Sequence, residues 1–262
     1  VPFRTASLSV EHKTSVGKGD DFITIGSQFS LDGAGDIRLK RTQLLPAVNF
    51  HKSLSEDKDS YLSVAFMGGP VFSQFDPALL KFGDQYGAGG FDRNNPTGEI
   101  IKNTGYHYWD VSTGISYTTV FNNRLNLYFA GGISHVNRPT IQSVLGAAKD
   151  AIAPRYSFNV GLNGKINDRD YITVFADYFT QNGNRQIIGG CLYGFASETG
   201  YYGGDPNIFY IGSFFRAGDA VIPVVKLSFN HMTVGISYDV NISRLRTVSN
   251  WRGGLELSVA YT

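Results

Sequence analysis

Cysteine is all but missing from the 262 residues: Cys191 stands alone, which excludes an intrachain disulfide and any multi-cysteine metal site and leaves it as a small apolar strand residue. Charge is thin as well, at 17% against the usual quarter. Its near balance, 23 basic to 22 acidic residues, gives no electrostatic reason to expect nucleic acid or a strongly charged ligand. No stretch approaches the roughly 20 apolar residues of a spanning helix, so a helical membrane protein is excluded. The chain opens at Val1 with neither a basic segment nor an apolar one behind it, and an export signal is therefore expected to lie outside it.

What the sequence has in quantity is glycine, 31 residues, and aromatic side chains, 14%. That mixture suits short strands and tight turns better than helices. Period-two alternation recurs from end to end in segments of about ten residues, the length of a tilted bilayer-spanning strand. Val234, Ile236, Tyr238 and Val240 alternate with Gly235, Ser237, Asp239 and Asn241. Leu255, Leu257, Val259 and Tyr261 alternate with Glu256, Ser258 and Ala260, and Val225, Leu227 and Phe229 with Lys226, Ser228 and Asn230. The same template predicts thirteen strands near 4–12, 22–30, 40–52, 60–72, 106–119, 124–136, 155–166, 170–180, 185–196, 207–216, 220–230, 232–241 and 253–262.

The connections carry the next signal. "FNNR" at 121–124 and "NDRD" at 167–170 are tight hairpin turns, whereas 76–105, 137–154 and 242–252 are long. If the last strand ends on the periplasmic side, all three long loops fall outside and the short turns inside, the asymmetry of outer-membrane barrels; 197–206 is then a rather long inner turn. Such barrels use even strand numbers, so the expected fold is an all-β transmembrane antiparallel barrel of fourteen strands. The first strand would be absent from, or displaced in, a single domain over 1–262. Within 141–153, Ile141, Val144, Leu145 and Ala148 have near-helical spacing and predict a short loop helix.

Little in the chain points to catalysis. His12, His51, His107, His135 and His231 lie in five strand regions with no zinc-type spacing. "YGAGGFDRNNPTGE" at 86–99 lacks the GK[ST] ending of a phosphate loop and reads as a flexible outer loop. Ser134 and His135 are adjacent, so their side chains point to opposite strand faces rather than pairing as a hydrolase dyad. Neither a cofactor nor an enzymatic activity is expected. If the apolar rows face lipid, Asp239, Asn241, Glu256, Lys226, Asn230, Lys165, Asn159 and Asn163 project into the lumen as a polar network, because a basic residue facing lipid near the midplane would cost about 2–4 kcal/mol. "YHYW" at 106–109, "DYF" at 177–179 and "YY" at 201–202 are expected to form aromatic girdles at the membrane interfaces.

One set of motifs, in order, is more specific. "YDVNISRLRTVSNWRGGLELSVAYT" at 238–262, "SHVNRP" at 134–139, "APRY" at 153–156, "FRAGDAVIP" at 215–223 and "FSLDGAGD" at 29–36 together resemble the PorP/SprF family of Bacteroidetes outer-membrane proteins. Arg216 and Asp219 of the R-x-x-DA element thereby join Lys226, Asp239, Asn241 and Glu256 as the candidate lumen network. Members usually begin with an asparagine-proline-alanine-tyrosine segment and a strand before the part similar to residues 1–12, and neither occurs here. The resemblance implies an outer-membrane barrel of the type IX secretion system. Its expected partners are translocon components, outer-membrane lipid and a secreted adhesin or other cargo with a type B C-terminal domain, held at the surface, as in gliding motility. The expected contacts are loop residues Phe91, Arg93, Asn94, Asn137 and Arg138. The alternative is a small-solute diffusion porin; behind it stand a soluble all-β protein and a barrel hydrolase.

Overall fold

The computed structural model describes residues 3–17, 19–55, 59–142, 149–197, 206–244, 246–249, 251 and 253–262. The chain runs through β1 (Arg4–Ser15), β2 (Phe22–Ala34), β3 (Leu39–Ser53) and β4 (Ser60–Gln74), then a loop bearing the two-residue strands β5 (Tyr86–Gly87) and β6 (Gly90–Phe91). It continues with β7 (Gly105–Phe121), β8 (Leu125–Ser134), the short pair β9 (Thr140–Gln142) and β10 (Lys149–Ala151), β11 (Arg155–Lys165), β12 (Asp170–Gln181) and β13 (Asn184–Ala196). β14 (Ile208–Arg216), β15 (Ala220–Phe229), β16 (Met232–Tyr238), β17 (Val240–Asn241), one helical turn α1 (Arg246–Ser249) and β18 (Leu255–Tyr261) complete it.

These strands build one fourteen-stranded antiparallel sheet in which each long strand pairs with its neighbours in sequence. The fourteenth member is β17, which pairs with β15 beyond a break at Asp239 and so continues the line of β16. The other thirteen coincide with the thirteen segments expected from alternation. At the Asn-rich turn after β7, Asn122 and Asn123 take positive φ, 50° and 53°, which asparagine tolerates better than most residues.

Exposure decides which row faces where. Along β14, Phe209, Ile211 and Phe215 are open while Tyr210 and Phe214 turn away; Ile211 is 49% exposed and its neighbour Tyr210 only 9%. In β11, Tyr156, Phe158 and Val160 are exposed and Ser157, Asn159 and Gly161 withdrawn. The apolar row therefore points out of the sheet, the reverse of a soluble sandwich. The opposite face is concave, since one cavity of about 400 Å³ on it is walled by residues from Glu11 on β1 across to Ser157 on β11. Following the ladder registers, the outward-facing charged residues of the long strands are Arg4, Lys40, Lys52, Asp170 and Arg185, each in the first or last two positions of its strand. Glu11, Asp110, Asp177, Lys226 and Glu256 all project inward. An apolar band bounded by charge is what a lipid slab requires.

Three expectations need correcting. Residues 140–142 and 149–151 form an antiparallel pair, Ile141 opposite Asp150, not the ends of a helix; the intervening 143–148 lie outside the described residues. The β-branched Thr140 and Ile141 favour strand there. Asn230 is not a lumen residue but sits in the β15–β16 turn at φ 49°. The girdle reading divides: Trp109 and Tyr178 face outward, but Tyr106, Tyr108 and Phe179 face the lumen, and "YY" at 201–202 lies outside the described residues.

Candidate functional site

The two ends of the sheet differ. The segments 75–104, 135–154 and 242–254 leave from one end, with the short turns at 35–38, 182–183 and 217–219. The turns at 16–21, 122–124, 166–169 and 230–231 lie at the other. We call the first end outer, following the loop asymmetry of membrane barrels.

The segment 75–104 is a folded lobe rather than a flexible loop. Gln85, 7% exposed, accepts from the Phe82 N–H at 3.1 Å and donates to the Asn95 carbonyl at 3.4 Å. Asp84 accepts from the Gly98 N–H at 2.7 Å and Asp76 from the Ala78 N–H at 3.0 Å. The lobe is tied to the neighbouring turn where the Asp76 N–H donates to the Ile37 carbonyl at 2.9 Å. Between lobe and turn lies an apolar pocket of about 460 Å³ walled by Ile37, Leu39, Phe75, Leu80, Phe82 and Ile101. Within the lobe Phe91 packs on Tyr86 with ring centres 5.4 Å apart. Arg93 donates to the Ala78 carbonyl at 2.8 Å, and the Asn94 N–H donates to Asp92 at 2.9 Å.

The motif residues form ties along the same rim. In "SHVNRP" the His135 ring meets the buried Asp110 carboxylate at 2.8 Å, so its partner is Asp110, on β7, and not the adjacent Ser134. Asn137 donates to the Trp109 carbonyl at 2.7 Å and accepts from the Val111 N–H at 3.2 Å, which clamps the loop onto β7. Arg138, at φ 45°, turns the chain as its N–H donates to the His135 carbonyl. In "APRY" the Arg155 guanidinium lies 4.4 Å from the centre of the Phe179 ring, and Gln181 donates to the Ala153 carbonyl at 2.8 Å.

The candidate lumen network assembles only in part. Arg216 donates to Asp219 at 3.0 Å and to Asp239 at 2.9 Å, so "FRAGDA" and "YDVN" meet through one guanidinium. The largely buried Arg216–Asp239 bond contributes about 1.5–3 kcal/mol and the exposed Asp219 bond at most about 1 kcal/mol, and together they pin the break between β16 and β17. There the Asp239 N–H donates to the Gly254 carbonyl at 2.9 Å, and Gly253 lies so close that a Cβ on it would strike the Asp239 carbonyl oxygen. Asn241 accepts from Ser243 beside this cluster. Lys226 stands apart, over the Tyr210 ring at 4.2 Å, and Glu256 accepts from Ser237 at 3.5 Å on β18. The inward rings on β8, β12 and β14 were not anticipated. Tyr128 lies over Gly161, Phe214 over Gly190 and Tyr210 over Gly194, and Phe214 packs on Phe175 at 4.6 Å.

The profile of the type IX secretion system membrane protein PorP/SprF family matches residues 2–261, nearly the whole chain. The chain belongs to the PorP/SprF family. No curated protein and no solved structure matches it. Membership makes it an outer-membrane protein of type IX secretion, associated with components of that system and its secreted cargo, and the antiparallel sheet with its outward apolar band is the matching architecture. The motifs that carried the resemblance, among them "SHVNRP" and "FRAGDA", are the rim ties just described in this PorP/SprF chain.

Proposed function

We propose that the outer rim holds the type B C-terminal domain of a secreted adhesin or other surface protein and supports its export or anchoring, with no catalysis. The carrying observation is the lobe 75–104: a loop ordered by its own hydrogen bonds, set on a rigid wall beside an open apolar pocket, is what recognition on a fixed scaffold uses. The inward rings over glycines on β11 and β13 support a holding role over a diffusion porin. Replacing residues 86–104 by a short Gly-Ser linker should lower surface retention of the cargo several-fold, read by protease shaving of intact cells, while the barrel still shows heat-modifiable gel migration. Undiminished retention would reject the lobe.

The same reading includes a closed barrel. β1 and β18 are the two ends of the sheet, and no pairing joins them among the described residues. Twelve antiparallel steps separate them, so they point the same way and would pair parallel if they met. Because β17 prolongs β16, the sheet has thirteen positions; one further strand, antiparallel to both ends, makes fourteen and restores the pattern, and places their backbones about 9.6 Å apart, beyond disulfide reach. Cysteines replacing Leu8 and Leu257 should stay unlinked under oxidation in the assembled protein; ready crosslinking would show direct closure.

A further inference from the structure

On the outward face the ladder registers create a furrow of about 750 Å³. One wall is a row of hydrogen-bonded neighbours, Leu62, Tyr117, Phe129, Val160 and Ala176, one each from β4, β7, β8, β11 and β12. The other is the row Ile115, Gly131, Phe158, Tyr178 and Ile187, which runs from β7 to β13. The floor is the backbone of the row between them, Ser116, Ala130, Asn159 and Asp177. Those side chains project to the lumen, where Asn159 donates to Asp177 at 2.7 Å. Thus the floor's amides are used in the ladder, its polar side chains are on the far side, and the furrow asks nothing of an occupant but hydrocarbon.

We infer that this furrow seats one acyl chain of a bilayer lipid. Three arguments select that occupant. Outward rows two residues apart on a strand stand about 6.8 Å apart, wide enough for an extended polymethylene chain. A helix, about 10–12 Å across with its side chains, is too broad to enter, and the floor, whose amides are already paired in the ladder, offers a strand no hydrogen-bond partner. Six strands give five steps, about 24 Å across the sheet, which at a 45° strand tilt rises about 17 Å, close to the ~15 Å of one leaflet's chains. The furrow also lies inside the apolar band that contacts lipid, and so inherits its supply. The inference rests on the membrane-barrel reading of the outward face and is independent of the cargo assignment.

Gly131 is the place to test it, because a Cβ there would meet only Phe158 and the Ser157 carbonyl at an ordinary 3.9 Å, so a side chain can grow into the furrow without disturbing the ladder. The probe is dipalmitoyl-phosphatidylethanolamine titrated into the detergent-solubilised full chain and read by native mass spectrometry. The expected result is one tightly held lipid, weakened about tenfold, or about 1.4 kcal/mol, by Gly131→Trp and unchanged by Val225→Trp, which sets the same indole on β15 elsewhere on the outward face. Ala176→Trp on the opposite wall should repeat the loss, and serves if Gly131→Trp loses heat-modifiable migration. Equal retention by the furrow and control variants, no held lipid on the unaltered chain, or a furrow-dependent dimer in place of the lipid would each overturn the assignment.

Discussion

The lumen wall is built in two ways. From β1 to β8 the inward residues at mid-strand are small or polar, with Thr24, Asn49, Ala65, Ser112, Gly114 and Gly132 around the 400 Å³ cavity, and inward rings such as Tyr61, Tyr106 and Tyr108 lie nearer the strand ends. From β8 to β14 the wall carries rings laid over cross-strand glycines, and Tyr171 meets Tyr210 edge-on at 6.4 Å. Both halves have the same strand geometry, the same outward apolar row and the same hydrogen-bond ladder. What separates them is whether a glycine's missing side chain is left as space or covered by a neighbour's ring, a device that pins register and fills volume. An inward row can therefore be apolar without facing lipid.

The sharpest way to break the comparison is to add the same kind of bulk to both halves. Gly190→Ala drives its Cβ into the Phe214 ring and the Ser213 carbonyl and should destabilise the protein by about 2–3 kcal/mol, whereas Gly132→Ala meets the rotatable Ser157 hydroxyl at 2.9 Å and should cost under about 0.5 kcal/mol. Urea midpoints in micelles, followed by the loss of heat-modifiable migration, check both. Comparable shifts would mean that the two halves are packed alike.

A smaller effect separates the halves by pH. At the inner end of the polar half Lys52 donates to Asp21 at 2.8 Å and the Ser53 N–H at 2.9 Å. The Lys52 hydrogen bond, followed by the Ser53 amide, holds the Asp21 carboxyl below its usual range. The tie is then complete above the ordinary carboxylate value of about 4 and is lost as pH falls through Asp21's own lower value. Amide exchange in the 16–21 turn should rise on acidification through that range and the ring-filled half should not follow; in Asp21→Asn the turn's pH response should vanish. A response retained in the variant would assign it to another group.

The strands were legible in the sequence because alternation is local: each of the thirteen segments declares its period within ten residues. Phase was harder. In β14, Phe209 and Ile211 face out while Tyr210 and Phe214 face in, and polarity cannot choose between two apolar rows. The glycines that receive those rings, Gly190 and Gly194, announce nothing by themselves, since the pairing depends on a strand-to-strand register. Of the candidate network, Arg216, Asp219 and Asp239 came together because their motifs flank adjoining outer turns, whereas Lys226 and Glu256 share only inward parity with them. The lobe's order was hidden because the bonds that close it on itself join residues ten or more positions apart, such as Asp84 to Gly98 and Arg93 to Ala78.

Strand length gives the outer mouth a slope. At this end β4 and β7 run on together to Gln74 and Gly105, seven residues past the level at which β8 stops at Ser134, and seven residues of strand tilted at 45° amount to about 17 Å of height. The rim is stepped, high where β4 and β7 carry the lobe and low where β8 ends.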